Sequence, residues 1–401
     1  MVLVAEDKRA QFFLRLLQVF VFAIPISPFL SVRIIFILLL FFLFLKDKES
    51  YTVFLFKFWD IGIYIVVSIV GLIYTQDIVT GLKVQETNFS LLAIPIVCFG
   101  VQAWNEEKIV KIFYVFTCGL LVACIICLSI ATAHYARTGS TQFFFYDHFT
   151  SPINSHPTYF AYYIILAITF GLYLLYYERT QVKVIYIVTI ILFLFVMLIL
   201  TGGVTAFISI LFVFSFFILK FIVEEKQFKR QITLGLICIM MVSMFITSAI
   251  SLDDRNFVLT DSWERFILWQ SAFKATPSLI WGVGTGDYKV VLNEYFVSHD
   301  LNNFAKDSYN SHNQFIQTLF TNGILGILSL LLVMGRPLYL SVKHKDVLGT
   351  LIFFPFLIYG MTEVFLGRYQ GVVFFVLLHQ IFINSYANSK IDHVRPHKNS
   401  Y

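Results

Sequence analysis

Apolar runs of membrane-spanning length follow one another along this chain, separated by short polar breaks. A bilayer core of about 30 Å needs roughly 20 helical residues. By that ruler the runs centre on 11–28, 30–45, 58–74, 89–104, 110–133, 157–177, 184–200, 203–222, 232–250, 313–335, 347–365 and 370–386. The pattern predicts an all-α polytopic membrane protein of about 12 transmembrane helices. Pro25 and Pro28 mark a tight hairpin between the first two, and Lys57 and Asp60 leave the third with a ragged start. The runs are continuous rather than alternating, which excludes a membrane β-barrel. No repeat recurs at a fixed period, and the first run leads onward into further apolar sequence, unlike a cleaved signal peptide.

Two polar stretches exceed what a connector needs, about 134–155 and 251–311. They divide the chain into a bundle of about nine helices over 1–250, a loop with short helices over 251–311, about three helices over 312–388 and a tail over 389–401. Composition sharpens the picture. Hydrophobic residues make up 58% and charged residues 13%, and the mean hydropathy is +0.80. A soluble domain carries about 25% charged residues. Soluble enzymes, nucleic-acid-binding proteins and disulfide scaffolds are therefore set aside, and a lipid bilayer is the expected surrounding. Cys124 and Cys127 imitate a metal or redox spacing, but in a lipid-embedded run they are read as packing.

Charge orients the helices. With a cytoplasmic N-terminus, 20 of the 29 Lys and Arg residues fall in cytoplasmic segments, and each short outer loop holds one or none. Both termini are then cytoplasmic, and both long polar segments face outward.

The outer loop at 251–311 carries the chemistry-bearing residues. Trp263, Phe266, Ile267, Gln270 and Phe273 share one helical face, with Asp261 or Ser262 as N-cap and Arg265 in the first turn. Two tryptophans on a short helix suit the headgroup layer. Gly282-Val283-Gly284-Thr285-Gly286 reads as a tight turn or as a close backbone approach to a ligand. No Lys-Ser/Thr follows, so it is not a nucleotide loop. His312-Asn313 opens the next apolar helix, with Gln314 and Gln317 in its first turns. A histidine there either caps the loop or accepts a proton near neutral pH.

Taken in order, Arg265, Trp269, Pro277, Gly282-Val283-Gly284, His312-Asn313 and Gly323-Ile324-Leu325-Gly326 resemble the O-antigen ligase and polymerase family of bacterial envelope glycosyltransferases. Weaker echoes are Glu86 before Leu91-Leu92-Ala93-Ile94-Pro95, His156-Pro157-Thr158-Tyr159, and Glu363 through Gly371. One departure stands out. Where family members carry an Arg close to the lipid pyrophosphate, this chain has Val204; Arg137, Arg255 or Arg368 are candidate substitutes.

The resemblance implies a glycan carried on a polyprenyl diphosphate in the outer leaflet of the bacterial inner membrane. It further implies transfer on the periplasmic side to lipid A-core or a similar acceptor, with inversion at the anomeric carbon. A diphosphate already leaves well, so we expect no cofactor and no metal. The His134, Asp147, His148 and His156 cluster matches no standard zinc spacing. His312 is the candidate base for the acceptor hydroxyl, and Arg265 the candidate cation for the departing diphosphate. The alternative for Arg265 is a headgroup anchor. Trp269, Gly284, Asn313, Gln317, Arg137, Arg368 and His156 are candidate substrate contacts, and Glu363 is expected to pair with Arg368 or a neighbour. Two other functions stay open. One is a repeat-unit polymerase, whose acceptor is the growing glycan. The other is a transporter or flippase, against which no paired broken helices stand in matching halves.

Overall fold

Proline placement sets the first turn. Helix α1 (Lys8–Ala23) ends ahead of Pro25, and α2 (Pro28–Phe42) begins on Pro28, where a missing N–H breaks no helical bond. Ser27 caps α2, its Oγ accepting from Leu30 N at 3.3 Å. The structure is a computed structural model that describes residues 8–44, 51–101, 104–177, 182–202, 204–223, 231, 234–238, 240–241, 255–306 and 308–394. All regular structure among them is helical. The bundle continues with α3 (Tyr51–Ile73), α4 (Ile78–Phe99), α5 (Glu106–Thr138), the short α6 (Tyr146–Thr150), α7 (Pro157–Tyr176), α8 (Val184–Thr201) and α9 (Val204–Val223). After it come α10 (Arg255–Ala275), α11 (Tyr288–Ser298), α12 (Asn302–Lys306), α13 (Gln314–Lys343), α14 (Val347–Gly360) and α15 (Tyr369–Val394).

Each apolar run of the sequence falls on one of these helices except 232–250, most of which lies outside the described residues, as does the tail beyond Val394. Five stretches are long and apolar enough to cross a membrane: α5, α7, α8, α13 and Tyr369–Ala387 of α15. Pro28–Phe42, Thr205–Lys220 and Val347–Gly360 are shorter apolar helices. The protein is a multi-pass membrane protein. Its centre is α7 and α15, which are buried on nearly every face.

A charged network ties three helices at one end of the bundle. Asp60 of α3 is fully buried, bonded to Arg336 Nη1 of α13 at 2.7 Å and to His379 Nε2 of α15 at 2.8 Å. Removing Asp60 leaves the buried His379 and the largely covered Arg336 without their carboxylate, which costs about 3–5 kcal/mol. Asp60→Ala is therefore expected to lower the thermal unfolding midpoint of the detergent-solubilised protein sharply. A surface Glu106→Ala change serves as the reference.

The opposite end gathers the connections that the charge pattern places on one side. Tyr74 OH donates to Trp281 O at 2.6 Å. The Asp287 carboxylate accepts from the N–H groups of Gln76 and Asp77 at 2.7–3.0 Å. Ser31 Oγ lies 3.0 Å from Tyr369 OH, and Gln370 Nε2 donates to Asn154 O at 3.1 Å. The loop over α10–α12 adds a small apolar core of its own. Leu268 and Ala272 of α10, Leu292 and Phe296 of α11, Val283 and Phe320 pack together there.

Candidate active site

The site is built where α13 begins. Asn313 caps that helix, its Oδ1 accepting from Phe315 N at 2.9 Å and Ile316 N at 3.0 Å. The preceding residue, His312, has φ +43°, a left-handed conformation that costs a non-glycine residue of order 1 kcal/mol or more. Neighbouring bonds impose it. His312 N donates to Asn310 Oδ1 at 2.8 Å, and buried Ser311 gives both its N–H (3.2 Å) and its hydroxyl (3.0 Å) to Gln317 Oε1. Asn313 and Gln317, expected as substrate contacts, thus have their side-chain oxygens engaged with the chain itself, where they position the His312 turn.

Opposite this turn runs the segment that links α14 to α15. Three side chains converge on consecutive residues of it. Asn313 Nδ2 donates to Met361 O at 3.0 Å. Arg265 Nη1 donates to Thr362 O. His312 Nδ1 stands 3.5 Å from Glu363 Oε2, an ion-pair approach that is long for a hydrogen bond. Thr205, in the first turn of α9, donates its hydroxyl to Thr362 Oγ1 at 2.8 Å. The departure at Val204 therefore falls one residue from a contact to this segment.

Glu363, expected beside Arg368 or a neighbour, has His312 as its partner. Burial opposes ionisation of Glu363, yet the His312 imidazole, His156 and the Val364 N–H together hold its carboxyl below the usual range. A carboxylate facing Nδ1 favours the tautomer with its proton there, leaving Nε2 as the acceptor. The His312 side chain is 25% exposed and Glu363 7%. The imidazole thus faces a buried carboxylate on one side and is partly open to solvent.

The remaining candidates occupy varied positions. His156 caps α7, its Nδ1 accepting from Thr158 N at 3.4 Å. Burial pushes its imidazole below the usual range, and it lies within reach of the charges of Glu363, Arg368, Asp147 and His312. Trp269, one turn along α10 from Arg265, has a buried indole Nε1 with no hydrogen-bond partner among the described residues. An unmade bond of this kind costs about 1–3 kcal/mol. Arg137 is exposed in the last turn of α5. The side chain of Arg255 lies outside the described residues. Among those described, no group of three or more His, Cys, Asp or Glu could hold a metal ion.

Gly284 is buried, and its surroundings explain the glycine-rich turn. Helix α13 breaks at Gly323, whose φ of 60° and ψ of −155° suit glycine alone. The break frees the carbonyls of Phe320 and Thr321, which accept from Val283 N and Gly284 N, each at 2.9 Å. Gly284 has φ +105°, and a Cβ there would lie 2.6 Å from Thr75 Oγ1. The turn locks the loop to α3 and α13.

Helix α10 also differs from expectation. It starts at Arg255, so Arg265 lies in its middle rather than in a first turn capped by Asp261 or Ser262. Trp263, Phe266, Gln270 and Phe273 are exposed as one face, while Leu268, Ser271 and Ala272 face the loop core.

Residues 187–331 match a family model described as O-Antigen ligase. The match runs from α8 into α13. It takes in Arg265, Trp269, Gly284, His312, Asn313 and Gln317, and stops short of Glu363 and Arg368. No curated protein matches the chain. The family that the sequence motifs resemble is the one whose model matches, over residues 187–331.

Proposed function

We propose that the protein transfers a glycan from a polyprenyl-diphosphate carrier to an acceptor sugar, lipid A-core or one similar, at the periplasmic face of the bacterial inner membrane. The observation that carries this reading is the convergence of His312 and Arg265 on adjacent residues, Glu363 and Thr362. His312 Nε2 takes the proton of the acceptor hydroxyl as that oxygen attacks the anomeric carbon. The bond from the anomeric carbon to the diphosphate oxygen breaks as the new glycosidic bond forms, with inversion. Arg265 meets the charge that gathers on the departing diphosphate. Glu363 holds the imidazole and stabilises the imidazolium that forms. The indole N–H of Trp269, without a hydrogen-bond partner among the described residues, supplies a donor for a substrate oxygen. No step calls on a metal or cofactor.

Orientation follows the charge pattern, which puts the end of the bundle bearing His312 outside and both termini in the cytoplasm. The acceptor decides between two enzymes of one chemistry. In a deletion strain, a ligase leaves polymerised glycan on the carrier and none on lipid A-core. Loss of the polymerase would instead leave a single repeat unit on the core. We expect the first pattern on gels of surface lipopolysaccharide. Unchanged glycan with altered solute uptake would remove both enzymatic readings and favour a transporter.

A further inference from the structure

Beside the His312 turn lies a cavity of about 400 Å³, within the range of pockets that enclose small ligands. Neither His312 nor Arg265 lines it, but Asn310, Gln314 and Gln317 of the same turn do. Three cations line it as well. Lys83 comes from α4, Lys289 from α11 and Arg368 from the segment before α15, and all three are exposed. No lining residue is a carboxylate. Asp77 lies near enough to Lys83 to feel its charge, but caps α4 and is not part of the wall. Several of the lining groups are uncharged hydrogen-bonding side chains that are buried, among them Asn88, which donates to Ser68 Oγ at 3.1 Å, and Thr318, whose Oγ1 accepts from Gln314 Nε2 at 3.0 Å.

Charge and wall chemistry name the ligand class. Three cations drawn from separate parts of the chain, with no carboxylate in the wall, give the cavity a positive potential that favours an anion. Buried amides and hydroxyls match the hydroxyl-rich surface of a sugar. We infer that this cavity is a second substrate site, which binds a saccharide bearing a phosphate or carboxylate group and is separate from the diphosphate contact at Arg265. The inference rests on the glycan-transfer reading and names the charged sugar portion of a substrate as the occupant. Gln314 links the two places: it lines the cavity, and its Oε1 accepts from Leu366 N at 2.8 Å in the segment that also carries Glu363.

The test is binding to the purified full-length protein in detergent. The acidic probes are a tetrasaccharide of alternating glucuronate and N-acetylglucosamine, and glucose 1-phosphate. Neutral maltotetraose is the control, and farnesyl diphosphate probes the carrier-lipid end. At least one acidic probe is expected to bind about tenfold or more tightly than maltotetraose. Arg368→Gln and the double variant Lys83→Gln/Lys289→Gln should each weaken that binding about tenfold or more, while Arg368→Lys retains most of it. These variants should leave farnesyl diphosphate binding within about twofold of wild type, whereas Arg265→Gln weakens it. The cations are exposed, and an unchanged melting temperature checks that each variant is folded. Three results would overturn the inference: equal affinity for neutral and acidic probes, acidic binding that ignores all three cations, or farnesyl diphosphate as the ligand those cations govern. Farnesyl diphosphate binding indifferent to Arg265 would instead count against the functional reading, leaving the cavity result to stand separately.

Discussion

Replacing His312 is expected to stop glycan transfer while leaving the protein in the membrane. A positioned base contributes about 10²–10⁴-fold to a rate, so His312→Ala should lower kcat at least about 100-fold. The backbone complicates this variant, because residue 312 has φ +43°. His312→Asn answers that difficulty: asparagine tolerates the left-handed region and lacks an imidazole. Both variants should abolish surface glycan at normal membrane abundance, measured by lipopolysaccharide gel and by immunoblot. Normal glycan in the asparagine variant would remove His312 as the base. Partial loss in alanine alone would assign the effect to the backbone.

Arg265 carries the second large effect. Removing one fixed charge that meets a leaving group costs about 10²–10³-fold in kcat. Arg265→Ala is expected in that range. Arg265→Lys should recover only a small part, because an ammonium cannot present the planar fork that grips two phosphate oxygens. The same change at exposed Arg15 should be silent. The measurement is initial rate against donor concentration for the purified variants. If lysine at 265 matches wild type, bidentate recognition is wrong and a headgroup-anchor role fits better. The carbonyl of Thr362 remains available to a lysine there, so loss in the lysine variant points to the donor rather than to the fold.

The helices were legible because lipid selects for continuous apolar length. Pro25 and Pro28 mark the first hairpin, and the exposed face of α10 carries Trp263, Phe266, Gln270 and Phe273, while Ile267, which helical spacing put with them, is only partly exposed. His312 stood out as a titratable group at a helix mouth. What escaped the sequence was pairing across distance. Glu363 is far along the chain from His312, and the expected partner, Arg368, was close in sequence. The short helical turn at Phe365–Gly367 separates Glu363 from Arg368, which lines the cavity instead. An N-cap residue type is a weak preference, so α10 runs on through Asp261 and Ser262 rather than starting there. By sequence the glycine-rich turn fits surface geometry or a close ligand approach. Its burial follows from the break at Gly323, which leaves carbonyls that only a neighbouring backbone in close contact can satisfy.

The most direct measurement is a single-turnover experiment with one purified protein, a defined oligosaccharide on a polyprenyl diphosphate and a sugar acceptor. The account predicts that wild type forms the new glycosidic bond and releases one lipid diphosphate per glycan moved. His312→Asn should bind the same donor with unchanged affinity and form no product. Wild-type protein that binds the donor without moving its glycan, or an asparagine variant within about threefold of the wild-type rate, would contradict it.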